Sequence, residues 1–170
     1  YDTSYTFEYN TVMQESEWES IGWASYTDGF FINPWYNPTM GGQTWDVEIE
    51  EHKDRAGYFR IVNPYAEWPI NLSVGGALID SKTYYLYINA EDPDGVYIED
   101  SNSGINLGIA TGDQTGYSIL GSMAYMFIQA GNPFELVKQN GWCGTLKNGI
   151  ITFDAGTLTY AESEYNEGKA

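Results

Sequence analysis

His52 is the only histidine of this chain and Cys143 its only cysteine. A histidine-based zinc site needs at least two imidazoles, so metal-assisted hydrolysis of that kind is excluded. A Cys143–His52 dyad would require only that nucleophile and base meet in space. Both residues have simpler readings. Cys143 sits in Gly141-Trp142-Cys143-Gly144, just ahead of a hairpin strand, where a free thiol behaves as a small buried hydrophobe. His52 lies in Glu50-Glu51-His52-Lys53-Asp54, where a strand pattern runs out into a polar turn, and is expected to be an ordinary exposed histidine. No G-x-S-x-G is present, and Gly121-Ser122 lacks the spacing of a nucleophile elbow. The glycines between Gly104 and Gly116 form neither G-x-G-x-x-G nor G-K-[ST], so no phosphate cradle is expected. No catalytic constellation emerges, and no cofactor is implied.

Carboxylates are abundant, and glycoside cleavage asks only for two of them roughly 5 to 9 Å apart across a sugar. With 24 acidic residues, such a pair arises by chance. A glycoside hydrolase using paired carboxylates therefore stays an alternative. Asp92-Pro93-Asp94-Gly95, with Glu91 before it and Glu99-Asp100 after it, begins like an oxygen-rich cation loop but lacks the full D-x-[DN]-x-[DN]-G-x5-E pattern. Asp-Pro-Asp-Gly is also a common hairpin connection, and that reading is preferred. No metal is expected; were calcium to bind, Asp92, Asp94, Glu99 and Asp100 would hold it.

Aromatic residues supply a sharper idea. Asn33-Pro34-Trp35-Tyr36-Asn37-Pro38 sets Trp35 and Tyr36 in a segment framed by prolines, with Asn33 and Asn37 alongside. Flat rings stack on sugars while amides contact hydroxyls, and Trp68, in Ala66-Glu67-Trp68-Pro69, is a second platform of the same kind. The competing reading folds Trp35 back as a lid on the core, since large aromatics are highly buried on average.

Those side chains must be held by a β scaffold. Aromatics make up 16% of the 170 residues, with 15 Tyr, 6 Trp and 19 Gly, a blend of pleat-filling residues and turn formers. Trp45-Asp46-Val47-Glu48-Ile49-Glu50-Glu51 alternates strictly, Trp45, Val47 and Ile49 facing a core. Further strands are expected at Tyr58–Val62, at Tyr84–Asn89 and, shorter, at Val96–Glu99, with a turn over Lys53–Gly57. Asn148-Gly149 between Thr145–Lys147 and Ile150–Phe153 signals a type I′ hairpin, with Ile151 and Phe153 facing the core. Asp28-Gly29, between Ala24–Thr27 and Phe30–Ile32, and Asp94-Gly95 give two more turns, hence a meander of hairpins.

One segment reads as a helix: Asn132 as cap, Pro133 at the first position, Glu135 in the first turn and Gly141 past the end predict two turns over 133–139. Residues 117–128 are nearly all apolar, and periodicity does not separate strand from helix there; Gly121 with Tyr125 and Phe127 favours strand. Gly104, Gly108, Gly112 and Gly116 recur every four residues, as in a flexible loop or a loosely paired edge strand. The expected fold is all-β and antiparallel, a sandwich or a partly closed barrel of roughly eight to eleven strands with one short helix. Residues 1–160 are expected to form one domain, and 161–170 an acidic, frayed tail.

Charge narrows the partners. Against 24 acids stand 7 basic residues, a formal net charge of −17. Such a surface repels nucleic acid and anionic lipid alike. No run approaches the ~18 apolar residues of a membrane span. A single cysteine excludes an internal disulfide.

The pieces Gly22–Phe31, Val47–Tyr65, Tyr85–Ile98 and Gly144–Phe153, in this order and spacing, resemble domains of secreted or surface lipoproteins of gut Bacteroidetes. The likeness runs from about Trp18 to about Phe153 and contains no catalytic signature. It implies an exported β-rich module, at the outer membrane or cell surface or secreted, its signal removed and its lipid anchor upstream of Tyr1. It implies no activity and transfers no functional residue. The sequence reading is thus a non-enzymatic binding or structural module contacting neutral glycan or another surface polymer. The alternatives are the hydrolase above and a spacer or assembly module of a larger lipoprotein.

Overall fold

A computed structural model describes residues 16–29, 43–66, 83–99, 105–110 and 116–164; residues 43, 105–110, 116–120 and 160–164 are described through their backbone alone. Trp18–Asp28 (β1), Gln43–His52 (β2), Tyr58–Val62 (β3), Tyr85–Asn89 (β4) and Tyr97–Ile98 (β5) form one five-stranded sheet in chain order, every neighbour antiparallel. This is the meander expected from the turn signals. Its inner face follows from the alternation of β2: Trp45 and Val47 are buried, while Asp46 between them is exposed. Ile61, Leu86, Ile88 and Ile98 continue that face across the sheet. The buried indole of Trp45 donates Nε1–H to the Pro64 carbonyl at 2.7 Å, so its polar edge is satisfied inside the core.

The turns are held by specific requirements. Gly57 adopts φ +85°, and a Cβ there would lie 2.7 Å from the Ala90 carbonyl oxygen, whereas the Gly57 carbonyl accepts the Ala90 N–H at 2.8 Å. Only glycine lets these two turns approach so closely. Between β4 and β5, Asp92 Oδ1 accepts the Asp94 N–H at 3.0 Å and the Asp92 carbonyl accepts the Gly95 N–H at 2.9 Å.

A three-stranded antiparallel sheet follows, built from Ile105–Ala110 (β6), Gly116–Ser122 (β7) and, at the far end of the chain, Leu158–Glu164. The recurrent glycines fall on and around β6, an edge strand whose register with β7 shifts between Asn106 and Ala110. Two short helices come next, Met123–Gln129 (α1) and Phe134–Gln139 (α2), then the hairpin Thr145–Lys147 (β8) and Ile150–Thr152 (β9). The strand Leu158–Glu164 (β10) pairs with β7 through Glu164, so the sequence expected to open a frayed tail at 161 continues a ladder. The fold is all-β with two short helices, sandwich-like, and the described sheets do not close into a barrel.

The helix expected over 133–139 is α2, but its cap is Pro133; the Asn132 amide instead donates to the Phe127 carbonyl at 3.0 Å and closes α1. The apolar stretch 117–128 is divided: strand through Ser122, helix from Met123. Packing decides what periodicity left open. Ala124 is fully buried, Tyr125 stacks on Tyr97 of β5 with centroids 5.8 Å apart, and Phe127 stacks on Trp142 at 3.7 Å. A helix sends Tyr125 and Phe127 to these two different partners, whereas a strand would put both on one side.

The strand before Asp28-Gly29 is paired to its end, Ala24–Thr27 with Thr44–Val47 and Asp28 with Gln43 of β2. Phe30–Ile32 lie outside the described residues. Asp28 is itself buried, an environment a turn-tip aspartate would not have. By contrast, Asn148 at φ +51° and Gly149 at φ +75° form the predicted turn, and Ile151 and Phe153 pack against the core.

Candidate functional site

The face of the five-stranded sheet opposite the core is laid out by one irregularity. Ser20 pairs with Glu50 and Gly22 with Ile49, leaving Ile21 as the extra residue of a β-bulge, with Gly22 at φ +117°. Trp18 and Trp23 would point to opposite faces of a regular strand. The bulge puts both on the outer face, Trp18 opposite His52 and Trp23 opposite Glu48. Counting past the bulge, the two rings stand on the order of 13 Å apart along β1, with Ser20 and its partner Glu50 between them.

Trp18 anchors a stack that spans four strands, β1 to β4. Its ring lies 5.1 Å from Tyr58 and 5.7 Å from Tyr87, and His52 meets it edge-on at 5.1 Å. The Arg60 guanidinium is sandwiched, its Cζ 4.6 Å from the Trp18 centroid and 3.9 Å from that of Tyr85, while its Nε donates to Glu50. Arg55 covers Tyr58 at 3.8 Å and pairs with Glu91. Cations over ring faces hold both partners in place. Beside this stiffened stack, Trp23 is 66% exposed, the most exposed of the large apolar side chains among the described residues. The result is an outer-face platform carrying an open indole beside two guanidinium–carboxylate pairs, Arg60–Glu50 and Arg55–Glu91.

His52 belongs to this stack and is not an exposed turn residue. Its side chain is 15% exposed, and Nδ1 accepts the Asp54 N–H at 3.1 Å. It was misread because Trp18, its covering partner, lies on a strand far earlier in the chain. Cys143 is partly buried, and burial raises its thiol pKa, which suits a packing role.

The acidic turn is engaged in holding the fold. Asp92 Oδ2 accepts from Lys138 Nζ at 2.9 Å, and that hydrogen bond holds its carboxyl below the usual range. Glu99 accepts the Tyr58 phenol at 2.5 Å, and Asp94 is exposed. Asp100 lies outside the described residues. Among the described residues no three His, Cys, Asp or Glu side chains are grouped to hold a metal. Among the described residues, the carboxyls with displaced pKa values, Glu91 and Asp92, are both shifted downward, Glu91 by its hydrogen bond from Arg55. A general acid for sugar cleavage needs the opposite shift.

Trp35, Tyr36, Asn33, Asn37 and Trp68, the sugar-stacking candidates of the sequence, lie outside the described residues. The outer-face platform was missed in the sequence because Trp18 and Trp23 are an odd number of residues apart; Gly22 was the available hint, since an isolated glycine in a strand marks a bulge.

Beside the β8–β9 hairpin, an open, largely apolar groove of about 920 Å³ runs along β1, with Ile21, Ala24 and Ile150 exposed in it. Tyr26, Asp28 and Tyr65 line one end: the Tyr65 phenol donates to Asp28, and the Tyr26 and Tyr65 oxygens are 3.0 Å apart. Burial raises both phenol pKa values well above the ordinary tyrosine range. No protein family, curated protein or solved structure matches this chain.

Proposed function

We propose that this domain is a non-catalytic binding module of an exported protein and that it contacts a neutral polysaccharide through the outer face of the five-stranded sheet. The exposed Trp23 indole, set beside the Trp18–Arg60–Tyr85 stack, carries the reading. An open indole takes the apolar face of a sugar ring. The Arg60–Glu50 pair, at side-chain exposures of 13% and 20%, offers donors and acceptors to equatorial hydroxyls from a fixed position. The spacing of the two tryptophans along β1 suits a polymer better than a single sugar. A net charge of −17 favours neutral chains over sulfated or uronic ones. Placement outside the cell rests on the resemblance of the four sequence pieces to gut Bacteroidetes lipoprotein domains.

Affinity electrophoresis through gels containing neutral or uronic polysaccharides tests the reading. Retardation by a neutral polymer, and a loss of about tenfold or more in Trp23→Ala (roughly 1.4 kcal/mol), is expected. Trp23→Ala with unaltered retardation, or retardation by uronic polymers alone, refutes this face as the site. If no polysaccharide retards the protein, the spacer reading takes its place.

A further inference from the structure

One edge of the five-stranded sheet is β1, which pairs with β2 on one side and, among the described residues, with no strand on the other. Which of its backbone groups face outward follows from the register. The Lys53 N–H donates to the Glu17 carbonyl at 2.9 Å, so residues 17 and 53 form a hydrogen-bonded pair and Trp18 with His52 a non-bonded one. The Trp18 N–H accordingly points away from β2, where Ser16 Oγ accepts it at 3.2 Å. The chain thus covers its own edge at this end. On β2 the same alternation runs on without interruption, turning Val47 and Trp45 towards β1 and their partners Ala24 and Tyr26 towards β2. Trp23, Ser25 and Thr27 therefore present N–H and C=O outward, past the bulge, with no backbone partner on that side among the described residues. Such a row is a template for an added strand.

The two faces beside this row differ in chemistry. Ala24 lies on the inner face opposite Val47, yet it is exposed while Val47 is only 3% exposed, because the groove beside the β8–β9 hairpin opens there. A strand laid against β1 would set alternate side chains over Ala24 and into that groove, where apolar groups are favoured. Its other side chains would stand on the outer face, beside the Trp23 indole and within reach of the carboxylates of Asp46 and Glu48, the partners of Ser25 and Trp23. Among the described residues neither carboxylate is paired with a cation, whereas Arg55, Arg60 and Lys138 are each held in ion pairs. In a chain of net charge −17, cationic side chains complement this side, both through the carboxylates and over the open indole face.

We propose that β1 accepts, along Trp23–Asp28, an extended segment of a partner protein in which apolar and basic residues alternate, adding a sixth strand to the sheet. The polysaccharide reading uses side chains on the outer face, whereas this one uses the backbone at the edge, and neither depends on the other.

The probe is a fluorescein-labelled synthetic peptide of about seven residues, enough to span Trp23–Asp28, alternating lysine and valine and read by fluorescence anisotropy. Saturable binding at one site is expected. A peptide with serine for valine, equal in charge, should bind at least about tenfold more weakly, and one with glutamate for lysine should not bind. Methylating every lysine nitrogen blocks one edge of the peptide, and methylating every valine nitrogen blocks the other. One of these two peptides should lose at least about tenfold in affinity while the other keeps it. Ser25→Pro removes an N–H that faces away from β2, a change an edge strand tolerates, and should weaken binding about tenfold. Ser25→Thr keeps the donor and should bind as the unaltered protein does. Circular dichroism checks the fold of Ser25→Pro; if that variant unfolds, the methylated pair decides. No binding of the lysine–valine peptide overturns the proposal. Equal binding of the serine peptide reduces the effect to net charge, and equal binding of the two methylated peptides excludes strand addition; either result overturns it. Unchanged affinity in a folded Ser25→Pro places the peptide elsewhere and does the same. A dimer of the free protein, seen by sedimentation and dissociated by Ser25→Pro, would put a second copy on this edge in place of the partner.

Discussion

The phenol of Tyr65, fully buried, donates its hydrogen bond to the carboxylate of Asp28, itself only 5% exposed. Charge is costly to bury unless donors surround it. The last residue of β1 is thereby tied to the turn that follows β3, across the end of the sheet. Tyr65→Phe keeps the ring, with its packing on Tyr26 and Trp45 at 5.7 and 5.6 Å, and removes the hydroxyl that donates to Asp28 and meets the Tyr26 hydroxyl. Withdrawing a donor from a buried acceptor should cost about 1–3 kcal/mol. Urea unfolding measures it, and an unchanged midpoint would show that this hydrogen bond contributes nothing net.

Tyrosine burial also sets the alkaline limit of stability. Desolvation raises the pKa values of Tyr26, Tyr65 and Tyr58, and pushes Tyr97 up to about 12 with help from Glu99 and Glu91. A group whose folded pKa lies above its unfolded value binds more protons in the folded state, so its contribution is complete below about pH 10 and declines as pH rises through the folded value. Stability should therefore hold to about pH 10 and fall steeply beyond it. Absorbance titration at the phenolate band should show a late class of tyrosines ionising above the exposed ones or together with unfolding. A single class with ordinary pKa would contradict the burial.

The hairpin at Asn148-Gly149 is the most local of the structural features and was read completely from its sequence. Gly149 holds φ +75°, and a Cβ there would meet nothing within 4 Å, so conformational strain alone opposes substitution. Gly149→Val should cost about 1 kcal/mol or more because a β-branched residue resists positive φ. Chemical denaturation of the variant checks this, and Gly149→Asn, which tolerates that backbone, should recover most of the loss.

What was legible follows from range. Alternation in β2, the turn pairs and the helix signals around Pro133 act over a few residues, and each placed an element. Where the outcome depends on packing partners, local pattern is not enough: Asn132 closes α1 rather than capping α2, and Tyr125 stacks on Tyr97 of β5 from a helix. Asp28-Gly29 had the composition of a tight turn, yet its aspartate is drawn inward by Tyr65, far along the chain. The same holds for the candidate site. Arg60 and Tyr85 are unremarkable one by one, and their stack on Trp18 exists only once the register is known.

Lys138 occupies the place a cation would take beside Asp92, and it also contacts Glu135 at 2.7 Å. A chelator should therefore shift the melting temperature by no more than about 2 °C, since an ion that does not bind the native state cannot stabilise it. A large drop on chelation would show that calcium competes with the lysine. The depressed carboxyls Asp92 and Glu91 contribute stability above about pH 4 that fades as pH falls through their lowered values. Salt should weaken that contribution, because Arg55 and Glu91 are each 39% exposed.

The bulge of β1 makes a sharper prediction about chain length than about any side chain. Ser20 and Gly22 face consecutive residues of β2, Glu50 and Ile49, so Ile21 is the one residue without a counterpart in the ladder. Deleting Ile21 restores a regular strand while leaving Trp18 opposite His52 and Trp23 opposite Glu48. Deleting Ser25 instead forces every residue on one side of the gap to the other face, carrying Trp18 and Trp23 inward or Tyr26 outward. The first deletion should cost roughly 1 kcal/mol or less, chiefly through a lost twist in the strand. The second should cost several-fold more, about 3 kcal/mol or above, on the scale of losing a buried aromatic. Near-ultraviolet circular dichroism, which reads the packing of Trp18 against its neighbours, should be retained in the Ile21 deletion and lost in the Ser25 deletion. If both deletions prove equally damaging, Ile21 is not the extra residue, and the shared face of Trp18 and Trp23 must have another cause.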